Sequence, residues 1–329
     1  MTVPADYDDQ LYEVAIRYYE GGETQEQIAN ALHLTRWKVG RMLAEARQAG
    51  IVRIEVLHPR SRVRALEQSL KDRCGLRDAV VVAGGDPNGG HNGAHNGAEH
   101  LRDRVAAAGA DHLMAMRPAP RLIGVSWGRT LDRLAGGLEP GWATGVNVVQ
   151  INGALSRSRQ PTSAHSMASL IAHHGGGTAT LLPAPAILEQ QSTRAVLESD
   201  RAVSDVLALA TRADLFLFSP GGMGSDSVLV DSGQIDAAHL SRLAEAGAVG
   251  DVLGRFIDRD GRIVDPGLDG RTLGLSLDVL RASTASVALV SGEAKHAVCR
   301  AVVASRLCDV LITDDQSATY LLDTWKEGA

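Results

Sequence analysis

The chain of 329 residues has few aromatic side chains, few cysteines and no long apolar segment. Aromatic residues make up 4% of it, whereas alanine, valine, leucine and glycine dominate, as is typical of an α/β interior. Three cysteines without a C-x-x-C pair favour reduced thiols over a disulfide framework. The acidic N-terminus predicts no signal peptide. The sequence contains no run of about 18 apolar residues, so we expect no membrane span. We therefore expect a cytoplasmic protein.

Charge is unevenly distributed along the chain, whose net charge is −6. Residues 36–77 hold eleven Lys and Arg against four Asp and Glu, whereas residues 1–35 and 78–329 are both acidic. A short basic block in an acidic protein predicts contact with nucleic acid or another anionic surface. A solvated helix face is the alternative explanation of the charge alone.

Residues 1–57 have the spacing of a helix-turn-helix DNA-binding domain, followed by a short strand at IVRIEV. Thr24 and Thr35 are predicted to cap its second and third helices, and Gln27 completes a capping box with Thr24. His33 stands in the turn where glycine is common, and histidine tolerates a positive φ better than most residues. A helical hairpin used only for packing is the alternative. The side chains predicted to contact double-stranded DNA are Thr24, Gln25, Thr35, Arg36, Trp37, Lys38 and Arg41.

Residues 58–77 are predicted to form a linker helix, whose apolar face carries Val63, Leu66 and Leu70. Its basic start contacts the DNA backbone or is simply solvated. From residue 78 onward, short apolar segments alternate with helical ones, which predicts a doubly wound, mostly parallel α/β domain over 78–329. An Asp260-Gly261 hairpin is predicted within RFIDRDGRIVD. The predicted strands are AVVVAG, RLIGVS, VNVVQIN, TATLLP, LFLFSP, SVALVSG and DVLITDD.

The segment 84–100 repeats His-Asn-Gly-Ala and contains three histidines. His91, His95 and His100 allow a metal-site interpretation. The glycines oppose a rigid ligand geometry, and no carboxylate or thiol is fixed nearby. A flexible surface loop without a metal is therefore the prediction.

The segment GVSWG, residues 124–128, allows two functional interpretations. With Asp251 and His296, Ser126 follows the chain order of an α/β-hydrolase triad, and an HGGG segment occurs at 174–177. That segment follows the serine instead of preceding it, and His296 lies inside a helical pattern. A glycine-rich turn that opens a helix and binds a phosphate is the favoured interpretation, with Lys295 at the start of a later helix. Tight strand–helix packing alone would also account for the glycines.

In their order along the chain, several segments resemble the SorC family of sugar-binding transcription regulators: EQIANALHLTRWKVGRMLAEARQAGIV, GVSWGRTL, VVQINGAL, GDVLGRFID, SGEAKHAV and DVLITDD. The resemblance implies an effector domain similar to ribose-5-phosphate isomerase and glucosamine-6-phosphate deaminase folds, a phosphorylated sugar or polyol ligand, and a homotetramer on DNA. It implies phosphate-binding residues Gly124, Ser126, Trp127, Gly128, Arg129, Thr130 and Lys295. It implies sugar-binding residues Gln150, Asn152, Gly153, Asp251 and Leu253.

Two segments depart from the family pattern, the turn PGGMGS at 220–225 and the repeat at 84–100. Because Asn152 offers no amine for a Schiff base, we expect non-covalent binding. We predict a regulator of a carbohydrate or polyol operon with no catalytic residues, metal or cofactor. The alternatives are a sugar-phosphate isomerase or deaminase with a fused helix-turn-helix, for which neither Asp251 nor Asp258 is assigned as base, and a structural module without ligand response.

Overall fold

The computed structural model describes residues 5–52, 62–84, 94–155 and 164–325. The chain divides into two compact units, one of Met1–His58 with Gly85–Ala98 and one of Pro59–Gly84 with Glu99–Ala329. None of the helices in the described ranges combines the length and apolar character that a membrane span requires.

The first unit begins with three helices, α1 (Ala5–Tyr19), α2 (Gln25–Ala31) and α3 (Arg36–Gln48). The predicted turn is confirmed, because His33 adopts a φ of 53° between α2 and α3. Ile51 and Val52 form a bend, and the remainder of the predicted strand IVRIEV lies outside the described residues. Apolar side chains from all three helices form one core: Leu11, Val14, Ala15, Ile28, Ala29, Val39, Met42, Leu43 and Ala46.

The second unit is built on a parallel sheet of seven strands, in the order β1-β9-β8-β5-β2-β3-β4. Each of the seven segments predicted as strands within 78–329 contributes one of them, so the predicted α/β class is confirmed. A separate antiparallel pair joins β6 to β7. The strands are β1 (Asp78–Val82), β2 (Leu122–Val125), β3 (Asn147–Gln150), β4 (Ala179–Thr180), β5 (Leu215–Phe218), β6 (Gly250–Val252), β7 (Arg255–Ile257), β8 (Ser286–Leu289) and β9 (Val310–Asp314).

Helices cover both faces of this sheet. The helices after α3 are α4 (Arg64–Cys74), α5 (Ala94–Ala115), α6 (Arg129–Gly137), α7 (Ala164–His174), α8 (Gln191–Ser199), α9 (Arg201–Ala210), α10 (Val228–Asp231), α11 (Ala237–Glu245), α12 (Pro266–Asp269), α13 (Leu277–Ala282), α14 (His296–Ala304) and α15 (Asp315–Thr324), with a 3₁₀ turn at Glu293–Lys295. Of these, α10, α11 and α12 pack in a separate apolar cluster.

Successive strand residues point to opposite faces, and two apolar cores result. Val81 and Phe216 belong to one core, whereas Val80 and Leu217 belong to the other. Such continuously buried strands are expected of a parallel sheet covered on both sides. The helix predicted as a linker packs against β1 and α15, and its Leu70 lies in the first of these cores.

The structure corrects one local prediction and confirms another. The loop predicted over 84–100 is wrong for its last seven residues, because α5 begins at Ala94, and 85–93 lie outside the described residues. Once the amphipathic part of α5 has formed, each added residue gains a hydrogen bond, so the helix extends into the repeat. The predicted Asp260-Gly261 hairpin is confirmed, because Ile257 and Ile263 pair in antiparallel fashion across it and the amide of Asp258 donates to the carbonyl of Arg262 at 2.9 Å. A second turn with positive φ, at Leu253 and Gly254, joins β6 to β7 before it.

Candidate functional site

The sheet reverses its direction of growth between β2 and β5. From β2 the chain adds β3 and β4 on one side, then returns to place β5 and β8 on the other. Ligands of open α/β sheets bind outside the carboxyl ends of the strands at such a switch point. The loop Ser126–Gly128 follows β2 there. Gly128, at a φ of 150°, precedes α6, and a Cβ added to it would lie 3.8 Å from the Cβ of Ser219, the residue after β5.

Lys295 reaches the same place from the end of β8. Its Nζ donates to the hydroxyl of Ser219 at 3.3 Å, and Lys295 is the last residue of the 3₁₀ turn, directly before α14. Burial, together with the nearby charges of Arg102 and Arg129, lowers the pKa of Lys295 to about 8. The carboxylate of Asp251 acts in the opposite direction. The Lys295 ammonium is therefore a largely desolvated cation that lies near two other cations and one carboxylate.

Arg129 begins α6 directly after the glycine turn, and its side chain is 19% exposed. Its guanidinium donates to the carbonyl of Asp226 at 2.6 Å. The carboxylates of Asp226 and Asp231 lie 4.0 Å from its two terminal nitrogens, so these ion pairs are loose. A bound phosphate could make shorter, charge-assisted bonds to the same guanidinium.

Asp251 is buried in β6, and the main chains of Asp251 and Gly221 exchange two hydrogen bonds, of 2.9 and 3.0 Å. Its Oδ2 accepts from the amide of Gly254 at 3.0 Å. Burial raises the pKa of Asp251 to about 6, while the Gly254 amide and Lys295 lower it. A Cβ on Gly221 would overlap Oδ1 of Asp251. The PGGMGS turn therefore approaches Asp251 only because glycine stands there. Leu253, buried next to it, has a φ of 55°.

The end of β3 supplies three of the predicted sugar-binding residues, Gln150, Asn152 and Gly153. The amide of Gln150 donates to the carbonyl of Asn152 at 2.8 Å, and its oxygen accepts from Leu182 at 3.3 Å, which fixes the loop. The indole of Trp127 donates to the carbonyl of Gly153 at 2.9 Å, which links this loop to the β2 turn. Asn152 is fully buried, and neither polar atom of its side chain has a hydrogen-bond partner among the described residues. Buried polar groups without partners are rare in folded proteins.

Gly124 and Thr130, two further predicted phosphate-binding residues, also lie outside the loop Ser126–Gly128. Gly124 is within β2, where it pairs with both β3 and β5, and a Cβ there would lie 2.7 Å from Ile151. Thr130 is buried in the first turn of α6. Tight packing within the sheet therefore explains why residue 124 is a glycine.

The structure does not assemble a hydrolase triad. The hydroxyl of Ser126 contacts the carbonyl of Trp127 at 3.4 Å, and the ring of His296 stacks on Tyr320 with centroids 4.8 Å apart. Asp258, one of the carboxylates considered as an isomerase base, accepts from two amides of its own turn. No group of three metal-binding side chains occurs within the described residues.

Sequence reasoning missed Ser219, Asp226 and Arg102. Ser219 follows a strand directly, so the strand-end rule could have identified it. Arg102 lies within α5, and nothing in its sequence surroundings places it near a strand end. Its pKa is lowered by burial and then by the charges of Arg129 and Arg133.

The predicted DNA-binding residues lie in the first unit. Thr24 and Gln27 form the predicted capping box, and the hydroxyl of Thr35 accepts from the amide of Lys38 at 3.2 Å. Arg36 and Arg41 are exposed, and Trp37 is 73% exposed. A concave surface on this unit is lined by Gln25, Arg36, Trp37, Gly40 and Arg41.

The chain is similar to known transcription regulators along nearly its whole length. Residues 58–323 match a family model described as "Putative sugar-binding domain". The chain is 30% identical to the erythritol catabolism regulatory protein EryD of Brucella abortus, over 97% of this chain and 98% of that one. It is 29% identical to the deoxyribonucleoside regulator of Bacillus subtilis, over 94% and 96%. Among solved structures, the full-length sorbitol operon regulator SorC of Klebsiella pneumoniae matches with a TM-score of 0.70 and 25% identity, over 95% and 98%.

Proposed function

Because the chain belongs to the SorC family of sugar-binding transcription regulators, we propose that it controls a carbohydrate or polyol operon in response to a phosphorylated sugar or polyol. The ligand binds at the carboxyl ends of β2, β3, β5 and β8. The relatives compared above are regulators of transcription, and none is an enzyme.

The convergence of Lys295 and Ser219 on the turn before α6 carries the proposal. The free amides at the start of α6 and the helix dipole favour an anion there. Lys295 and Arg129 add two cations, and neither is held by a short ion pair within the described residues. These features together suit a phosphate better than a neutral group.

Asn152 supports the assignment of the sugar subsite to the end of β3. Its side chain offers one acceptor and two donor hydrogens, a combination that matches sugar hydroxyls. A ligand that satisfied these atoms would remove the cost of burying them without partners. Because an amide forms no Schiff base with an open-chain sugar, binding is non-covalent.

Thermal unfolding of the full chain in the presence of sugar phosphates tests the effector proposal. Each phosphorylated sugar or polyol is compared with the same compound without its phosphate. A ligand at 100 times its Kd stabilises the folded state by about 2.7 kcal/mol, so the cognate phosphate should raise Tm clearly. Stabilisation that is equal for phosphorylated and phosphate-free compounds would contradict the phosphate assignment.

The exposed basic face of α3 supports binding of operator DNA in the major groove, with Thr24 and Gln25 against the phosphate backbone. We assign operator binding to a homotetramer, with half-sites separated by whole turns of roughly 10 base pairs. Light scattering of the full chain at micromolar concentration should give four times the mass of one chain. A monomer under these conditions would contradict the assembly.

A further inference from the structure

Four side chains of the first unit form a connected network on and behind its exposed face. Tyr7 on α1 donates its hydroxyl to Oε2 of Glu45 at 2.7 Å. The other carboxylate oxygen of Glu45 lies 3.2 Å from Nε of Arg41. The guanidinium carbon of Arg41 lies 5.5 Å from the centre of the Trp37 ring. Three of these residues are one helical turn apart along α3, so they lie on one side of that helix.

The exposure of this network increases from its inner to its outer end. Tyr7 is half-buried, the Glu45 side chain is 35% exposed and that of Arg41 is 52% exposed. Trp37 is 73% exposed, the highest value among the large apolar side chains that the structure describes as exposed. The hydrogen bond to Glu45 raises the pKa of Tyr7, so the phenol stays protonated and remains a donor to that carboxylate.

A free arginine side chain loses considerable rotamer entropy when it binds. Here Glu45 holds the Nε side of the guanidinium, and the Trp37 ring restricts its plane. A guanidinium fixed in this way is prepared to donate two hydrogen bonds to one planar acceptor pair. In the major groove, O6 and N7 of guanine are such a pair, and arginine is its commonest partner.

We propose that Arg41 recognises a guanine in each operator half-site, and that Glu45 and Tyr7 are positioning residues which hold it against Trp37. This inference rests on the proposed DNA-binding function and specifies the base. It also gives the exposed Trp37 a role, as the surface on which the guanidinium stacks.

Selection of bound duplexes from a random DNA library by the full-length chain tests the proposal without a known operator. The wild type should enrich a motif with an invariant guanine in each half-site. Arg41→Lys keeps the charge but lacks the planar fork, so its preference for that guanine should fall roughly tenfold to a hundredfold. Glu45→Gln and Tyr7→Phe should weaken the same preference by smaller factors and leave the other positions of the motif unchanged.

Arg47→Lys is the matched control, because Arg47 is an exposed arginine in the last turn of α3 outside the network. It should enrich the wild-type motif. Replacing the selected guanine by 7-deazaguanine, which lacks the N7 acceptor, should weaken binding of the wild type more than binding of Arg41→Lys. Circular dichroism melting of each variant shows whether the helices remain folded.

The outcomes separate this inference from the function on which it rests. If the wild type enriches no sequence at all, operator binding itself is wrong, and the inference falls with it. If it enriches a motif that folded Arg41→Lys reproduces unchanged, the protein binds DNA but the planar guanidinium of Arg41 does not determine the guanine preference. If Arg41→Lys weakens the guanine preference but Glu45→Gln and Tyr7→Phe leave it unchanged, the positioning role of Glu45 and Tyr7 is overturned.

Discussion

The ammonium of Lys295 lies 3.3 Å from the hydroxyl of Ser219, although 75 residues separate them in the chain. Parallel strands β5 and β8 are neighbours in the sheet, so the loops after them meet at its carboxyl edge. A charged group and a hydroxyl are thereby brought to the point where the β2 turn opens α6.

Substitution of Lys295 should separate phosphate binding from sugar binding. Lys295→Ala removes one charge-assisted hydrogen bond, worth about 1.5–3 kcal/mol. Affinity for the phosphorylated effector should fall roughly tenfold to a hundredfold in calorimetric titration. The phosphate-free sugar should bind weakly to wild type and variant alike, and operator affinity without ligand should barely change in a gel shift.

Lys71→Ala, in the last turn of α4 and outside the site, is the matched control and should bind the effector like the wild type. An equal loss of affinity for both ligands in Lys295→Ala would indicate general destabilisation. No loss for either ligand would mean that the phosphate binds elsewhere.

Effector affinity should also depend on pH, because burial lowers the pKa of Lys295 to about 8. Below this pH the ammonium is charged and ready to bind the phosphate. As pH rises above it, the free protein loses the proton that the complex retains, so affinity should fall by a factor approaching ten per pH unit. Lys295→Arg stays charged over this range and should bind with a flatter profile between pH 7 and 9.5. Identical profiles for both proteins would assign the pH dependence to another group.

Much of the fold could be predicted from the sequence, because its signals are local. Buried parallel strands appear as short apolar runs, and Thr24 and Thr35 mark helix starts through side-chain caps. The strand order depends on long-range contacts that no local pattern encodes. Ser219 and Arg102 were therefore missed, since only the sheet topology and the packing of α5 bring them to the site. The start of α5 was missed because helix extension from its amphipathic part outweighed the glycines of the repeat.

Two glycines close in sequence should respond oppositely to alanine. A Cβ on Gly124 would lie 2.7 Å from Ile151 and 2.9 Å from Phe216, inside the sheet. Gly124→Ala should therefore lower the free energy of unfolding by about 1–3 kcal/mol through overpacking. Gly136 is exposed in α6 with nothing within 4 Å of an added Cβ, so Gly136→Ala should raise it by about 0.5–1 kcal/mol. Urea unfolding of both variants measures these differences, and equal effects would contradict the packing explanation of Gly124.

The buried carboxyl of Asp251 should make stability fall as pH rises. Its pKa is about 6 in the folded protein, against 3.8 for an aspartate side chain in water. Between these two pH values the folded state therefore binds more protons than the unfolded one. The free energy of unfolding therefore falls as pH rises, and this group removes on the order of 3 kcal/mol of it between about pH 4 and 6. Asp251→Asn cannot titrate, while its amide oxygen can still accept from Gly254.

The difference in unfolding free energy between Asp251→Asn and the wild type should therefore grow in favour of the variant across that interval. Urea titrations at several pH values between 4 and 7 measure it, with Asp205→Asn as the matched control. Asp205 lies on α9 with its side chain 71% exposed, and its variant should follow the wild type at each pH. A constant difference between Asp251→Asn and the wild type at every pH would show that Asp251 titrates alike in both states. In that case the Gly254 amide and Lys295 stabilise the carboxylate in the folded protein to the same extent as water does in the unfolded chain.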